Sequence, residues 1–311
     1  MTPVFGFLFP GQGSQSVGMG KPLFDSSSTV QALYKEATDI LGYDVGALCF
    51  DGPSEQLNQT EFTQPALLVT SLAAFQLVKD GPLIPAAVAG HSLGEYTALV
   101  AAGALGFREA VSLVQKRGHF MAEAVVPGSG LVAAVLGLSE TDVRSVCQEA
   151  WAVGIVAPAN FNSPGQTVIA GEKAAVERAA DLAKTRGAKR VMPLPVSVPV
   201  HTPLMQVAAD RLKKDIDSLQ WSDLKVPLIN NVDAKALHSA EEVRESLVRQ
   251  LPSPVRWQET IQAMSQMGIT HFVEIGPGKV LTGLVKRIVP GAITLNVMDQ
   301  ESYAHVLSQC S

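Results

Sequence analysis

The heptapeptide Ala89-Gly90-His91-Ser92-Leu93-Gly94-Glu95 sets a serine between two glycines, with an apolar run before it (Pro85-Ala86-Ala87-Val88) and a helix-like run, 96–102, after it. Strand, tight turn and helix in that order is the pattern of a nucleophile elbow. The glycines let two backbone segments pass closely, and Ser92 at the apex projects its hydroxyl above the sheet edge. At the helix N-terminus the amide of Leu93 points at whatever oxygen becomes negative during attack. Such a serine is the nucleophile of acyl transfer. Gly-x-Ser-x-Gly alone is short, and among 26 glycines it would also arise as an ordinary turn. The flanking strand and helix are what favour a nucleophile.

A serine nucleophile needs a base, and histidine has the pKa for the task. Among the six histidines His201 stands apart, in Ser197-Val198-Pro199-Val200-His201-Thr202-Pro203. The two prolines put it on a stiff loop ahead of a helix starting near 202–203. His91, His119, His238, His271 and His305 mostly fall on helix faces or beside strands, where a structural role reads better; His91 is next in line after His201. A second oxyanion donor has to come from a separate loop. Gly11-Gln12-Gly13-Ser14-Gln15-Ser16-Val17-Gly18 suits that use. It lacks the spacing of a dinucleotide loop, and Lys21-Pro22 is expected to interrupt any helix after it.

These residues need a scaffold. The run 4–9 reads as a buried parallel strand, and 29–41, 65–79 and 107–125 carry apolar residues at helical spacing. From 130 the pattern changes: strand 131–136, helix 139–151 with a Ser-x-x-Asp cap, strands 155–157 and 167–170 around a turn at 162–165, helix 173–185 and strand 190–194. The order βαββαβ is that of a ferredoxin-like unit, so 126–197 reads as an inserted subdomain forming one wall of a cleft. Alternation then resumes with strands 227–231, 271–275 and 293–297 and helices 241–250, 257–266 and 280–289. Residues 1–125 and 198–311 thus make a larger three-layer α/β domain around a mostly parallel sheet.

Composition narrows the partners. With 311 residues, 47% of them hydrophobic, the chain can bury a large core. A net charge of −5 and the lack of a long Lys/Arg run argue against nucleic acid. Cys49, Cys147 and Cys310 have neither disulfide nor metal-ligand spacing, which fits a reducing cytoplasm and no bound metal. The N-terminus lacks a basic region and a long apolar run, so no secretory signal is expected, and no segment reaches membrane-spanning length.

Six motifs in order resemble one family along essentially the whole chain: Phe9-Pro10-Gly11-Gln12-Gly13-Ser14-Gln15, Gly90-His91-Ser92-Leu93-Gly94-Glu95, Arg117-Gly118 with Met121, Asn160-Phe161-Asn162-Ser163-Pro164-Gly165-Gln166, Ser197-Val198-Pro199-Val200-His201, and Glu274-Ile275-Gly276-Pro277-Gly278-Lys279. The family is the malonyl-CoA:acyl carrier protein transacylases of bacterial type II fatty acid synthesis. The resemblance implies an α/β-hydrolase-like large domain, Ser92 as nucleophile, His201 as base, and the amides of Gln12 and Leu93 as oxyanion hole. It implies that Arg117 clamps the free carboxylate of malonate, and that the backbone carbonyl of Gln250 orients the histidine in place of a triad acid. It also implies malonyl-CoA and acyl carrier protein as partners, a monomer, and no cofactor. Carrier proteins of this pathway are acidic, so a basic rim is expected. Lys189, Arg190, Lys279, Lys286 and Arg287 are candidates by position, and each also fits an ordinary solvated face. Two enzyme alternatives stay open, an acyltransferase serving a polyketide synthase and an editing acyl hydrolase, as does a catalytically silent docking module.

Overall fold

The computed structural model describes residues 3–196 and 198–310, so Ser197 in the motif before His201, and Met1 and Thr2, lie outside the described residues. The strands are β1 (Phe5–Phe9), β2 (Pro85–Gly90), β3 (Gly130–Leu136), β4 (Val156–Ser163), β5 (Gln166–Glu172), β6 (Arg190–Pro193), β7 (Leu228–Ile229), β8 (Ala236–Leu237), β9 (His271–Ile275) and β10 (Ile293–Val297). One sheet has the order β10-β9-β1-β2-β7-β8, parallel except for the hairpin partner β8. β8 is too short to announce itself in the sequence.

Strand side chains alternate between faces, and β1 shows why the sheet is covered on both. Phe5, Phe7 and Phe9 enter one core with Tyr34, Leu67 and Val114, from the helices Ser28–Leu41, Thr60–Val78 and Phe107–Glu123. Leu8 enters another with Trp257, Ile261 and Val285, from the helices Trp257–Gln266 and Val280–Ile288. Each fully buried side chain of this kind contributes about 1.5–3 kcal/mol. The result is the expected three-layer α/β arrangement.

The second sheet, β4-β5-β3-β6, is antiparallel and carries the helices Glu140–Ala150 and Lys173–Thr185 between its strands. Chain order βαββαβ with the first and third strands central is the ferredoxin-like arrangement. Ser139 caps its helix as the Ser-x-x-Asp pattern predicts, accepting from the Asp142 amide at 3.1 Å. Ala133 and Val135 pack on the two helices, whereas Val132, Val168 and Ala170 form an apolar patch on the opposite face. At its edge β4 bonds to the segment after the helix Ala240–Gln250. The Phe161 amide donates to the Val255 carbonyl at 2.9 Å, and the Val255 amide to that of Ala159 at 2.8 Å.

Several boundaries differ from the sequence reading. Lys21-Pro22 opens a helix, Lys21–Ser26, because proline in the first turn has no N–H that needs a partner. The helix read from residue 65 begins at Thr60, with Pro65 inside it. β4 and β5 extend to 163 and from 166, which narrows the turn between them. Short helices at Val45–Asp51 and Ser54–Leu57, and the helix Gln300–Cys310, carried no clear periodicity.

The elbow itself is packed to the limit. A Cβ on Gly90 would lie 1.9 Å from the carbonyl carbon of Gly94. The backbone has no slack there, because the turn also holds Ser92 at φ 54°, in the left-handed region. Gly90→Ala should destabilise the fold by more than ~3 kcal/mol through this overlap. Denaturant unfolding of the variant checks this, and a loss under ~1 kcal/mol would show that the turn can open.

Candidate active site

β2 ends in the elbow, and its helix Gly94–Ala101 begins directly after Leu93. The Ser92 hydroxyl donates to His201 Nε2 at 2.7 Å. His201 also has a left-handed backbone, φ 64°, in a residue with a Cβ. Strain at both partners, of order 1–3 kcal/mol each, is held by the surrounding packing. Nδ1 of His201 lies 3.0 Å from the carbonyl of Gln250 and 3.1 Å from that of Ser253. Carbonyls only accept, so Nδ1 carries the proton and Nε2 is left with the lone pair that takes the serine O–H. Two backbone carbonyls, not one, thus occupy the place of a triad carboxylate. Both belong to the segment that β4 holds through Val255.

Arg117 projects from the helix Phe107–Glu123 and is fully buried. Nη1 donates to Gln64 Oε1 at 2.6 Å; Nη2 donates to Gln250 Oε1 at 3.0 Å and to Ser92 Oγ at 3.2 Å. Its Cζ stands 5.2 Å from the centre of the Tyr96 ring, within cation–π range. Among the described residues Nε has no partner. A buried N–H left open costs about 1–3 kcal/mol, so the guanidinium is set up to take another acceptor.

The two loops expected to supply the oxyanion hole do meet. A Cβ on Gly11 would lie 2.3 Å from the His91 carbonyl, so only glycine lets the first loop rest on the elbow. Gln12 and Leu93 both line a cavity of about 100 Å³ at Ser92, and neither backbone amide has a hydrogen-bond partner among the described residues. Val132, Val168, Leu194 and Val196 form the opposite, apolar wall.

The electrostatics follow from burial. His201 is pushed down to about 3, first by burial and then by the charge of Arg117. Glu95 is raised to about 7 by burial, against the pull of the Asn231 amide, Gln250 and Arg117. Cys49 and Cys147 are buried thiols raised to about 12, and so are not nucleophiles. Among the described residues no cluster of three or more His, Cys, Asp or Glu could hold a metal ion. No described helix is long and apolar enough to cross a membrane.

Sequence reasoning missed four residues here. Gln64 lies on the helix turns that seemed to start at Pro65. Asn162 Oδ1 accepts from His91 Nε2 at 2.8 Å across the cleft, and the ring of His91 rests 5.3 Å from that of Trp257, so His91 lines the site. Glu95 and Asn231 are buried behind the serine. The turn residues of the Asn160-to-Gln166 motif gave a signal for Asn162; nothing in the spacing pointed to Asn231. Of the basic residues, Lys279 and Lys286 line a groove of about 600 Å³. Arg287 bonds Gln166 at 2.5 Å, while Lys189 and Arg190 are exposed on the smaller sheet.

Comparison with known proteins places this geometry. Residues 6–301 match the family described as acyl transferase domain. The chain is 49% identical over 299 residues to the malonyl CoA-acyl carrier protein transacylase of Escherichia coli (strain K12), covering 96% of each chain. It is 47% identical to that of Bacillus subtilis (strain 168), covering 95% of this chain and 94% of the relative. Among solved structures, a type II PKS acyl-carrier protein in complex with its malonyl-transacylase matches with TM-score 0.96 at 48% identity over 98% of this chain and 99% of that chain. An acyl carrier protein S-malonyltransferase from Vibrio cholerae matches with TM-score 0.94 at 49% identity, over 97% and 99%. With an elbow serine, its histidine and near-complete coverage on both sides, the chain belongs to the acyl transferase domain family, among the malonyl-CoA:acyl carrier protein transacylases.

Proposed function

We propose that this protein transfers the malonyl group from malonyl-CoA to the phosphopantetheine thiol of acyl carrier protein through a malonyl-Ser92 intermediate, supplying extender units for fatty acid synthesis. The observation that carries the reading is Arg117, a buried guanidinium 3.2 Å from the Ser92 hydroxyl with an N–H still open. A planar guanidinium recognises a carboxylate, and a buried one discriminates strongly against an acyl group that leaves its charge unmatched.

Ser92 Oγ attacks the thioester carbonyl while His201 Nε2 takes its proton. The oxyanion is stabilised by the amides of Leu93 and Gln12. Collapse expels CoA as a thiolate, which takes the proton from His201. In the second half the carrier thiol gives its proton to His201 and attacks the malonyl ester, and Ser92 leaves reprotonated. One thioester is exchanged for another overall, so the chemistry calls for no cofactor. Residues 126–197 form the wall that closes over the intermediate, and 1–125 with 198–311 carry the reacting groups. The protein acts in the cytoplasm and as a monomer, and the basic residues around Lys286 receive the acidic carrier. One solved neighbour holds a polyketide carrier protein, so the transfer assay includes carriers of both kinds.

Incubation with malonyl-CoA should add one malonyl mass at Ser92, read by peptide mass spectrometry; an unlabelled wild type would end this reading. Arg117→Ala should lower malonyl transfer at least ~100-fold while sparing or raising acetyl transfer. Equal loss of both would make Arg117 structural.

Burial of His201 has a signed consequence for stability. Its folded pKa, about 3, lies below the ~6.5 of an unfolded histidine, so below pH 6.5 the unfolded chain binds the extra proton and stability falls with pH. Between pH 7.5 and 5 the wild type should lose roughly 2 kcal/mol relative to His201→Ala. Unfolding free energies of both proteins at the two pH values test this; a constant difference would contradict it.

A further inference from the structure

Asn231 lies just beyond β7 and is fully buried, with each of its polar groups engaged. Its Oδ1 accepts from the Ser92 amide at 2.7 Å, and its Nδ2 donates to the Gly90 carbonyl at 2.7 Å. One planar amide therefore grips the elbow on both sides of the strained turn. The side chain fits in only one orientation, since its oxygen meets an N–H and its nitrogen meets a carbonyl. Its own backbone is fixed in turn: the amide donates to Glu95 Oε2 at 2.9 Å, and the carbonyl accepts from the Arg256 amide at 2.9 Å.

This arrangement does more than fill space. The left-handed backbone of Ser92 aims the hydroxyl at His201, and that conformation is unfavourable for a residue with a Cβ. The contacts that oppose its relaxation include those of Asn231, the bond from Gln250 Nε2 to the Ser92 carbonyl at 3.1 Å and the bond from the Glu95 amide to the same carbonyl at 3.1 Å. The Glu95 end ties the grip to the first turn of the elbow helix, so residues 90, 92 and 95 are bound to a single point. Asn231 touches neither Ser92 Oγ nor the cavity wall.

We propose that Asn231, anchored by Glu95, is a positioning residue that holds Ser92 in its attacking conformation. The inference rests on Ser92 being the acylated nucleophile.

The test measures single-turnover labelling of Ser92 by malonyl-CoA, with KM taken from steady-state transfer. A displacement of the nucleophile by about 1 Å costs about 100-fold, so Asn231→Ala should lower the acylation rate by that order with KM changed less than about threefold. Asn231→Asp supplies the second arm. Its carboxylate still accepts from the Ser92 amide but repels the Gly90 carbonyl while ionised, and regains the donor when protonated. Glu95, Asp233, Arg117 and Arg256 are the charged groups around this position. Relative to the wild type at each pH, the Asp variant should therefore be slow at pH 8 and recover about tenfold or more by pH 5.5. His201 stays neutral over that range, so the base does not mask the recovery. A rate for Asn231→Ala within about threefold of wild type, or an Asp variant whose relative rate is flat with pH, overturns the proposal. Should the Ala variant fail to fold, the Asp profile decides alone. An unlabelled wild type overturns the nucleophile reading and this inference with it; a labelled wild type beside an equally fast Ala variant overturns this inference only.

Discussion

A positive charge with no access to water governs the interior of this protein. Arg117 is fully buried, and taking a guanidinium out of water costs several kcal/mol unless its surroundings replace the lost solvation. Here the replacement is assembled from neutral groups: two glutamine oxygens, the face of Tyr96 and the serine hydroxyl. Neutral acceptors stabilise the charge without cancelling it. The field of Arg117 therefore persists in the cavity, where it helps hold His201 unprotonated. A carboxylate directly paired with the arginine would have removed both effects.

That choice also explains the partners of the histidine. A carboxylate at Nδ1 would raise the pKa of His201 and place a second anion near Arg117. The carbonyls of Gln250 and Ser253 fix the same tautomer with dipoles alone. They give less stabilisation to an imidazolium, but Gln250 compensates by position, because its side chain bonds both Arg117 and the Ser92 carbonyl. One residue thus ties His201, Arg117 and Ser92 together. The segment that follows it is pinned by β4, so the antiparallel sheet contributes to the alignment of His201 as well as to the wall of the cavity.

How much of this is legible in the sequence depends on whether a residue advertises its conformation. Gly90, Ser92 and Gly94 do, since only that pattern permits the turn between strand and helix. His201 does through its flanking prolines, and the ferredoxin-like order does through two clean helices, one of which, Lys173–Thr185, has the bounds its periodicity gives. Gln64 does not. It sits next to Pro65, which normally marks a helix start, and the preceding turn absorbs the proline at the cost of one hydrogen bond. Asn231 is hidden for a different reason: Asn230-Asn231 after a short apolar run reads as a turn, and both side chains are completely buried. Burial of an asparagine can be justified only by partners 139 and 141 residues away, which no local pattern contains.

The same distinction separates the two walls of the cavity. The polar wall is built from the ends of parallel strands and loops, where side chains leave the sheet and point the same way. The apolar wall comes from alternate residues on one face of the smaller sheet, such as Val132 and Val168. Residues on its other face, Ala133 and Ile169, are taken up by the two helices. Because the strand period is two, sliding β3 by a single residue against β5 would turn this apolar face away from Ser92. The uninterrupted register from Gly130 to Leu136 thus keeps a surface that offers water no hydrogen bonds facing Ser92.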